Sequence, residues 1–156
     1  MSTASRGVIQ PQTNPVPMRI CLNSEGSDGG LGVVEMALDP GTGPPLHVHS
    51  THGEGFYVLS GELTVQIGDE IVSGGPGTWA FAPKNVAHTL ANLSGEETRV
   101  LCVFAPAGFE RRFERMLAQQ AGRPMPEPST AETHFLGPPL TERAHGQSAD
   151  AGDGGS

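Results

Sequence analysis

The sequence has little of what marks nucleic-acid-binding and membrane proteins. Only nine of its 156 residues are Lys or Arg, against seventeen Asp or Glu, which gives a formal net charge of −8. Such a chain has no basic surface to neutralise nucleic-acid phosphates or anionic lipids, so we expect neither nucleic acid nor membrane as a partner. No run of about 18 apolar residues occurs, so we predict no membrane-spanning helix.

Cysteine is also scarce. Cys21 and Cys102 are the two in the sequence. Each lies in an apolar run without another Cys or His at the spacing of a metal clip, so we expect buried free thiols in a reducing compartment. The N-terminal residues lack the apolar stretch of a signal peptide, and we therefore predict a cytoplasmic protein.

Aromatic residues make up 5% of the chain, whereas 22 glycines and 14 prolines divide it into short segments. This composition is typical of many short strands rather than long helices. One helix is predicted at 109–120, where apolar residues recur at helical spacing. Nine strands are predicted, at 18–23, 32–39, 46–50, 54–61, 62–68, 70–73, 77–83, 86–94 and 98–106.

The length suits one domain. We predict a flexible N-terminal arm over residues 1–15 and a β domain over 16–120. Residues 121–156 contain many Gly, Pro and acidic residues, so we predict a disordered tail there.

Four residues could form a metal site. His47 and His49 are two apart, which places both rings on one face of a strand. Glu54 follows after a short turn, and two histidines with a carboxylate are a recurring ligand set for metals. His88 could join them only if the fold brings its strand alongside. Taken one by one, each could instead be a surface or core residue, and His52 is interpreted as exposed on the turn.

The first part of this pattern resembles a known motif of the cupin family. Gly41, His47, His49, Glu54 and Gly61 stand at the spacing of the family's first motif, without a gap. Each fixed position of that motif is matched.

The family's second motif is also present, with one departure. Gly77, Pro83, His88 and Asn92 match it, while Asn85 stands where the family usually has Gly. Since Asn tolerates left-handed backbone better than most residues, we expect the turn to be kept.

The resemblance to small bacterial single-domain cupins implies an all-β fold, a jelly-roll barrel with a short C-terminal helix. It implies that His47, His49, Glu54 and His88 bind one divalent transition metal, which could be Fe, Mn, Ni, Co or Zn. It gives Glu54 a second, catalytic role as an acceptor of a substrate proton.

Counting by two along the strands predicts a mainly apolar substrate pocket. Phe56, Val58 and Leu90 are expected to face it, and Trp79 is a further candidate. No Arg or Lys falls on a position that clearly faces inward, although Arg19 and Arg99 remain possible, so an anionic substrate is not indicated.

The stretch 103–116 is similar to the ending of quercetinase-like cupins. We therefore predict a metal-dependent dioxygenase acting on a small aromatic or enol substrate. The alternatives are a non-redox cyclase or isomerase resembling polyketide cyclases, and a cupin that binds a small molecule without turnover. Both faces of 54–61 are apolar, which favours a homodimer that covers the outer face, and cupins commonly dimerise.

Overall fold

The computed structural model describes residues 17–143, and over this range two five-stranded antiparallel sheets face each other. The strands are β1 (Met18–Leu22), β2 (Gly32–Leu38), β3 (Pro45–Val48), β4 (Gly53–Ser60), β5 (Leu63–Ile67), β6 (Glu70–Gly74), β7 (Trp79–Ala82), β8 (His88–Ala91), β9 (Thr98–Ala105) and β10 (His134–Pro139). One helix, α1 (Glu110–Gln120), follows β9. The fold class is the predicted all-β jelly roll with a short C-terminal helix.

Neighbours in each sheet are mostly distant in sequence. One sheet has the order β1-β2-β9-β4-β7 and the other β10-β3-β8-β5-β6. The chain thus crosses repeatedly between the sheets, and residues of β3, β4 and β8 meet in the space between them. This crossing brings together side chains far apart along the chain.

The core is built from alternate residues of the strands. Phe56 and Val58 of β4 pair with Cys102 and Val100 of β9, and all four are at most 1% exposed. Val65 of β5 faces them from the other sheet. Burying such a side chain contributes about 1.5–3 kcal/mol, so this layer holds the barrel independently of any ligand.

The predicted left-handed turn occurs before β8. Asn85 has a φ of 64°, and its amide donates a hydrogen bond of 2.8 Å to the carbonyl oxygen of His49. Gly61 has a φ of 79°, and a Cβ there would lie 2.6 Å from the carbonyl oxygen of Glu97. Asn85 therefore fills the role that the family usually gives to Gly, whereas Gly61 has no room for a side chain.

The tail prediction is wrong for the part of residues 121–156 that the structure describes. Residues 134–139 form β10, which pairs with β3 at the edge of the sheet, and Leu140 is 5% exposed. Composition alone underestimates the order of this segment. The strand β3 offers unpaired backbone groups at the edge of its sheet, and β10 can pair with them while having few apolar side chains of its own. Residues 144–156, and the N-terminal arm at 1–15, lie outside the described residues.

No helix within residues 17–143 has the length and hydropathy needed to cross a membrane.

Removing residues 126–156 should destabilise the domain, because Leu140 loses its burial and β3 loses its partner strand. Losing the buried Leu alone costs about 1.5–3 kcal/mol, so we expect the melting temperature to fall by roughly 5–10 °C. A chain ending at residue 143 retains β10 and serves as the control in differential scanning calorimetry. Equal melting temperatures for the two chains would show that β10 does not stabilise the barrel.

Candidate metal centre

The register of β3 and β8 brings two of the predicted ligands face to face. His47 pairs directly with His88 across the antiparallel strands, and their ring centroids are 4.5 Å apart. The ring of His49 lies 4.8 Å from that of His47 and 5.0 Å from that of His88. Three imidazoles separated by up to 41 positions in sequence thus form one cluster.

Glu54 completes this cluster from the opposite sheet. It lies on β4, pairs with Phe104 of β9, and is 5% exposed. One potential ligand atom from each of the four residues, His47, His49, Glu54 and His88, lies within 4.8 Å of the other three. The structure therefore brings together all four predicted metal ligands.

The Nδ1 atom of each imidazole lies beside a backbone carbonyl oxygen. The partners are Pro45 for His47 at 2.7 Å, Val86 for His88 at 2.9 Å and Glu132 for His49 at 3.2 Å. A carbonyl oxygen only accepts hydrogen bonds, so each Nδ1 carries the hydrogen and donates it. In the neutral ring the Nε2 atom then has a free lone pair, as a metal ligand requires.

Two of these Nε2 atoms face the carboxylate. Nε2 of His49 and Nε2 of His88 each lie 3.0 Å from Oε2 of Glu54. Lone pairs of a neutral imidazole and of a carboxylate repel at this distance unless a positive charge lies between them. The donor set therefore fits a cation, and three imidazoles with one carboxylate suit a divalent transition metal.

The electrostatics of the cluster also favour positive charge. Hydrogens on the Nε2 atoms of His49 and His88 can supply that positive charge when no metal ion does: burial alone would raise the pKa of Glu54, but hydrogen bonds and positive charge from the two rings outweigh it and lower the pKa to about 2. Burial alone would lower the pKa of His88, but the hydrogen bond and charge of Glu54 raise it. For His47, burial dominates and lowers the pKa. Glu54 is thus a carboxylate at neutral pH.

His52 is buried rather than exposed, so its interpretation as a surface residue is wrong. It is 2% exposed, its ring stacks on Phe109 at 4.9 Å, and it lies 4.2 Å from the ring of His49. Burial and then the charge of His49 lower its pKa to about 4. Phe109 therefore covers His52 on one side, and the ring of His49 lies beside it.

A cavity of about 440 Å³ opens onto the cluster and exposes His47 and Glu54. We call it the central cavity. Its walls include Met36 and Leu38 of β2 and Leu90 of β8. Volume and apolar walls are typical of a small-molecule site, which commonly measures about 300–1,000 Å³.

The predicted pocket residues lie in three different places. Leu90 is on the wall of the central cavity, while Phe56 and Val58 belong to the hydrophobic core. Trp79 is 52% exposed on the outer face of its sheet, so the prediction that it lines the pocket is wrong. A Cβ on Gly55 would lie 2.4 Å from the Trp79 ring. Because Gly55 has no side chain, the indole can lie over it on the outer face of the sheet.

Sequence reasoning missed the side of the cavity that comes from the C-terminal part of the chain. Phe109, just before α1, and Arg112 of α1 line it, and so do Thr133, just before β10, and Phe135 of β10. Oγ1 of Thr133 also lies 3.0 Å from Nδ1 of His49. Arg112 thus places a cation on the cavity lining that counting along the strands did not find, because it comes from the helix.

The chain matches one family model and two curated proteins. A family model described as a cupin domain matches residues 34–104, the range that holds all four clustered residues. Quercetin 2,3-dioxygenase of Bacillus subtilis is 29% identical over 98 residues, which are 63% of this chain and 29% of that protein. An uncharacterized protein of Streptomyces coelicolor is 36% identical over 70 residues, covering 45% of this chain and 65% of that one.

Solved structures agree on the fold. The crystal structure of TT1209 from Thermus thermophilus is 32% identical, with a TM-score of 0.51, over 62% of this chain and 90% of that chain. The chain spans 29% and 65% of the lengths of the two curated relatives it matches. The similarity thus concerns the barrel and its centre.

Replacing a clustered histidine by alanine should remove metal binding and leave the barrel folded. For His47→Ala, His49→Ala and His88→Ala we expect zinc affinity to fall more than about 100-fold, since even residues that only orient a ligand contribute about 10–100-fold. Isothermal titration calorimetry measures this, with circular dichroism to check the fold. His134→Ala is the matched control, because that side chain is 64% exposed. Zinc affinity that is the same in the cluster variants and the control would refute the ligand assignment.

Proposed function

Because this chain belongs to the cupin family, we propose that it is a metal-dependent oxygenase acting on a small aromatic or enol substrate. The observation that carries the proposal is the convergence of three imidazoles and one carboxylate at an apolar cavity. A purely structural metal site would more often use Cys ligands and would not open onto a cavity.

His47, His49, Glu54 and His88 would hold one divalent ion, and the donor set suits Fe, Mn, Ni, Co or Zn. When bound, such an ion supplies Lewis acidity and, for the redox-active members of this set, electron transfer with dioxygen. The three carbonyl oxygens that accept from the Nδ1 atoms keep the rings in the orientation needed for binding.

Glu54 acts on the substrate as well as on the metal in this proposal. Its carboxylate lines the central cavity and is ionised at neutral pH because its pKa is lowered to about 2. An ionised carboxylate accepts a hydrogen bond from an enol or phenol hydroxyl placed in the cavity, and in this proposal it also takes the proton of that hydroxyl. The apolar walls, with Leu38, Leu90 and Phe113, bind the rest of the substrate and keep water away.

The similarity to quercetin 2,3-dioxygenase supports oxidative chemistry over the other reactions of this varied family. That relative's substrate transfers to this chain only as a proposal, because the match spans 29% of its length. We retain aromatic and enol compounds as the substrate class, since they combine an apolar body with a hydroxyl that Glu54 can contact.

We also retain the homodimer as a proposal. Tyr57, Leu59, Trp79 and Phe81 form an apolar patch on the outer face of β4 and β7, and each is 37–52% exposed. A second copy would cover this patch by a two-fold contact, in which the same surface of each chain meets. The dimer, like the cytoplasmic location, stays a prediction.

Oxygen uptake tests the proposed reaction. Protein reconstituted separately with Fe, Mn, Ni and Co should consume oxygen with a flavonol such as quercetin or with a small enol. Glu54→Gln should lower the rate by about 100-fold or more, because general-base catalysis typically contributes about 10²–10⁴-fold. His134→Ala serves again as the control.

Other outcomes would point to the alternative functions. Conversion of the substrate without oxygen uptake would indicate a non-redox cyclase or isomerase. Tight binding of the substrate without any product would indicate a binding protein. Either result would contradict the oxygenase proposal while leaving the metal site in place.

A further inference from the structure

An arginine lines the central cavity of this acidic protein. Arg112 of α1 lies on the cavity lining together with Glu54 and His47, and the other lining residues are uncharged. The Arg112 side chain is exposed, so it lies where the cavity meets solvent, and its five hydrogen-bond donors can reach an acceptor that enters there.

The guanidinium of Arg112 has two neighbours beside the cavity. It stacks on the ring of Phe109, 5.3 Å from the centroid, and approaches Oγ1 of Thr133 at 3.5 Å. Phe109 in turn contacts the ring of His49 at 4.7 Å. The ring of Phe109 thus lies in contact with both the Arg112 guanidinium and the His49 ring of the cluster.

The other arginines of the same helix have partners, whereas Arg112 has donors to spare. Arg111 pairs with Glu25 and with Glu114, and Arg115 donates to the carbonyl oxygen of Pro126. Within residues 17–143, no carboxylate lies within salt-bridge distance of Arg112. Its stacking on Phe109 leaves the edge of the planar guanidinium, where the donors lie, available for a carboxylate.

We propose that the central cavity takes substrates that carry a carboxylate, bound by Arg112, on the same molecule as the enol or phenol group that faces Glu54. The placement of the enol or phenol group beside Glu54 rests on the proposed function. The binding of the carboxylate depends on Arg112 alone. A fork of two parallel N–H···O bonds is the geometry by which Arg recognises carboxylates. Within the proposed substrate class, aromatic and enolic acids should therefore bind more tightly than neutral compounds.

Two pairs of probes test this subsite by isothermal titration calorimetry. Each pair compares a catechol acid with its neutral primary amide: 3,4-dihydroxybenzoate and the longer 3,4-dihydroxycinnamate, each against its amide. The protein is loaded with zinc, which does not oxidise catechols, and is also titrated without metal. We expect at least one acid to bind about tenfold more tightly than its amide, which corresponds to about 1.4 kcal/mol.

Arg112→Met should abolish this preference and leave the affinity for the amide within about twofold of wild type. Arg115→Met is the matched control, since it removes the same charge one turn further along α1 from a side chain that is not on the cavity lining. Arg112→Gln provides a second, polar replacement, and melting temperatures confirm that all variants are folded.

Three results would overturn the subsite. Arg112→Met could keep the preference for the acid, or Arg115→Met could lose that preference to the same extent. In the third, the wild-type protein would bind the acid no more tightly than the amide. Failure of the metal-dependent function looks different. In that case zinc would not change the affinity of either probe, while the acid preference would still be present in wild type and absent in Arg112→Met.

Discussion

The buried carboxylate of Glu54 faces two imidazole nitrogens at 3.0 Å, and much of the surrounding structure serves to balance that charge. Leaving a carboxylate uncompensated in a protein interior costs several kcal/mol. Here the compensation comes from the opposite sheet, because the β3 and β8 register places His47 against His88. The crossing of the chain between two sheets is thus the condition for both the metal centre and its charge balance.

The C-terminal part of the chain also contacts the histidine cluster. Glu132 and Thr133 contact the Nδ1 side of His49, and α1 places Phe109 against the same ring. These contacts connect ligand orientation with the shape of the cavity. A substrate that binds between Glu54 and Arg112 would therefore contact both the barrel and the segment that follows it.

The sequence predicted most of the barrel, since most strands are short apolar or alternating runs bounded by turn residues such as Gly61 and Asn85. The four ligands could be recognised because the motif spacing is specific, although only the strand pairing brings His88 beside His47. Trp79 could not be placed by counting, because its direction depends on the empty space above Gly55 in the neighbouring strand. Arg112 and β10 were missed because both owe their positions to contacts with strands far away in sequence.

The central claim is that the cluster is a metal site, and elemental analysis of the protein purified without chelator or added metal tests it most directly. We predict about one transition-metal ion for each chain, lost on dialysis against a strong chelator and restored by adding Fe, Mn, Ni, Co or Zn. Protein that holds no such ion as purified, and binds none of the five on titration, would contradict the account.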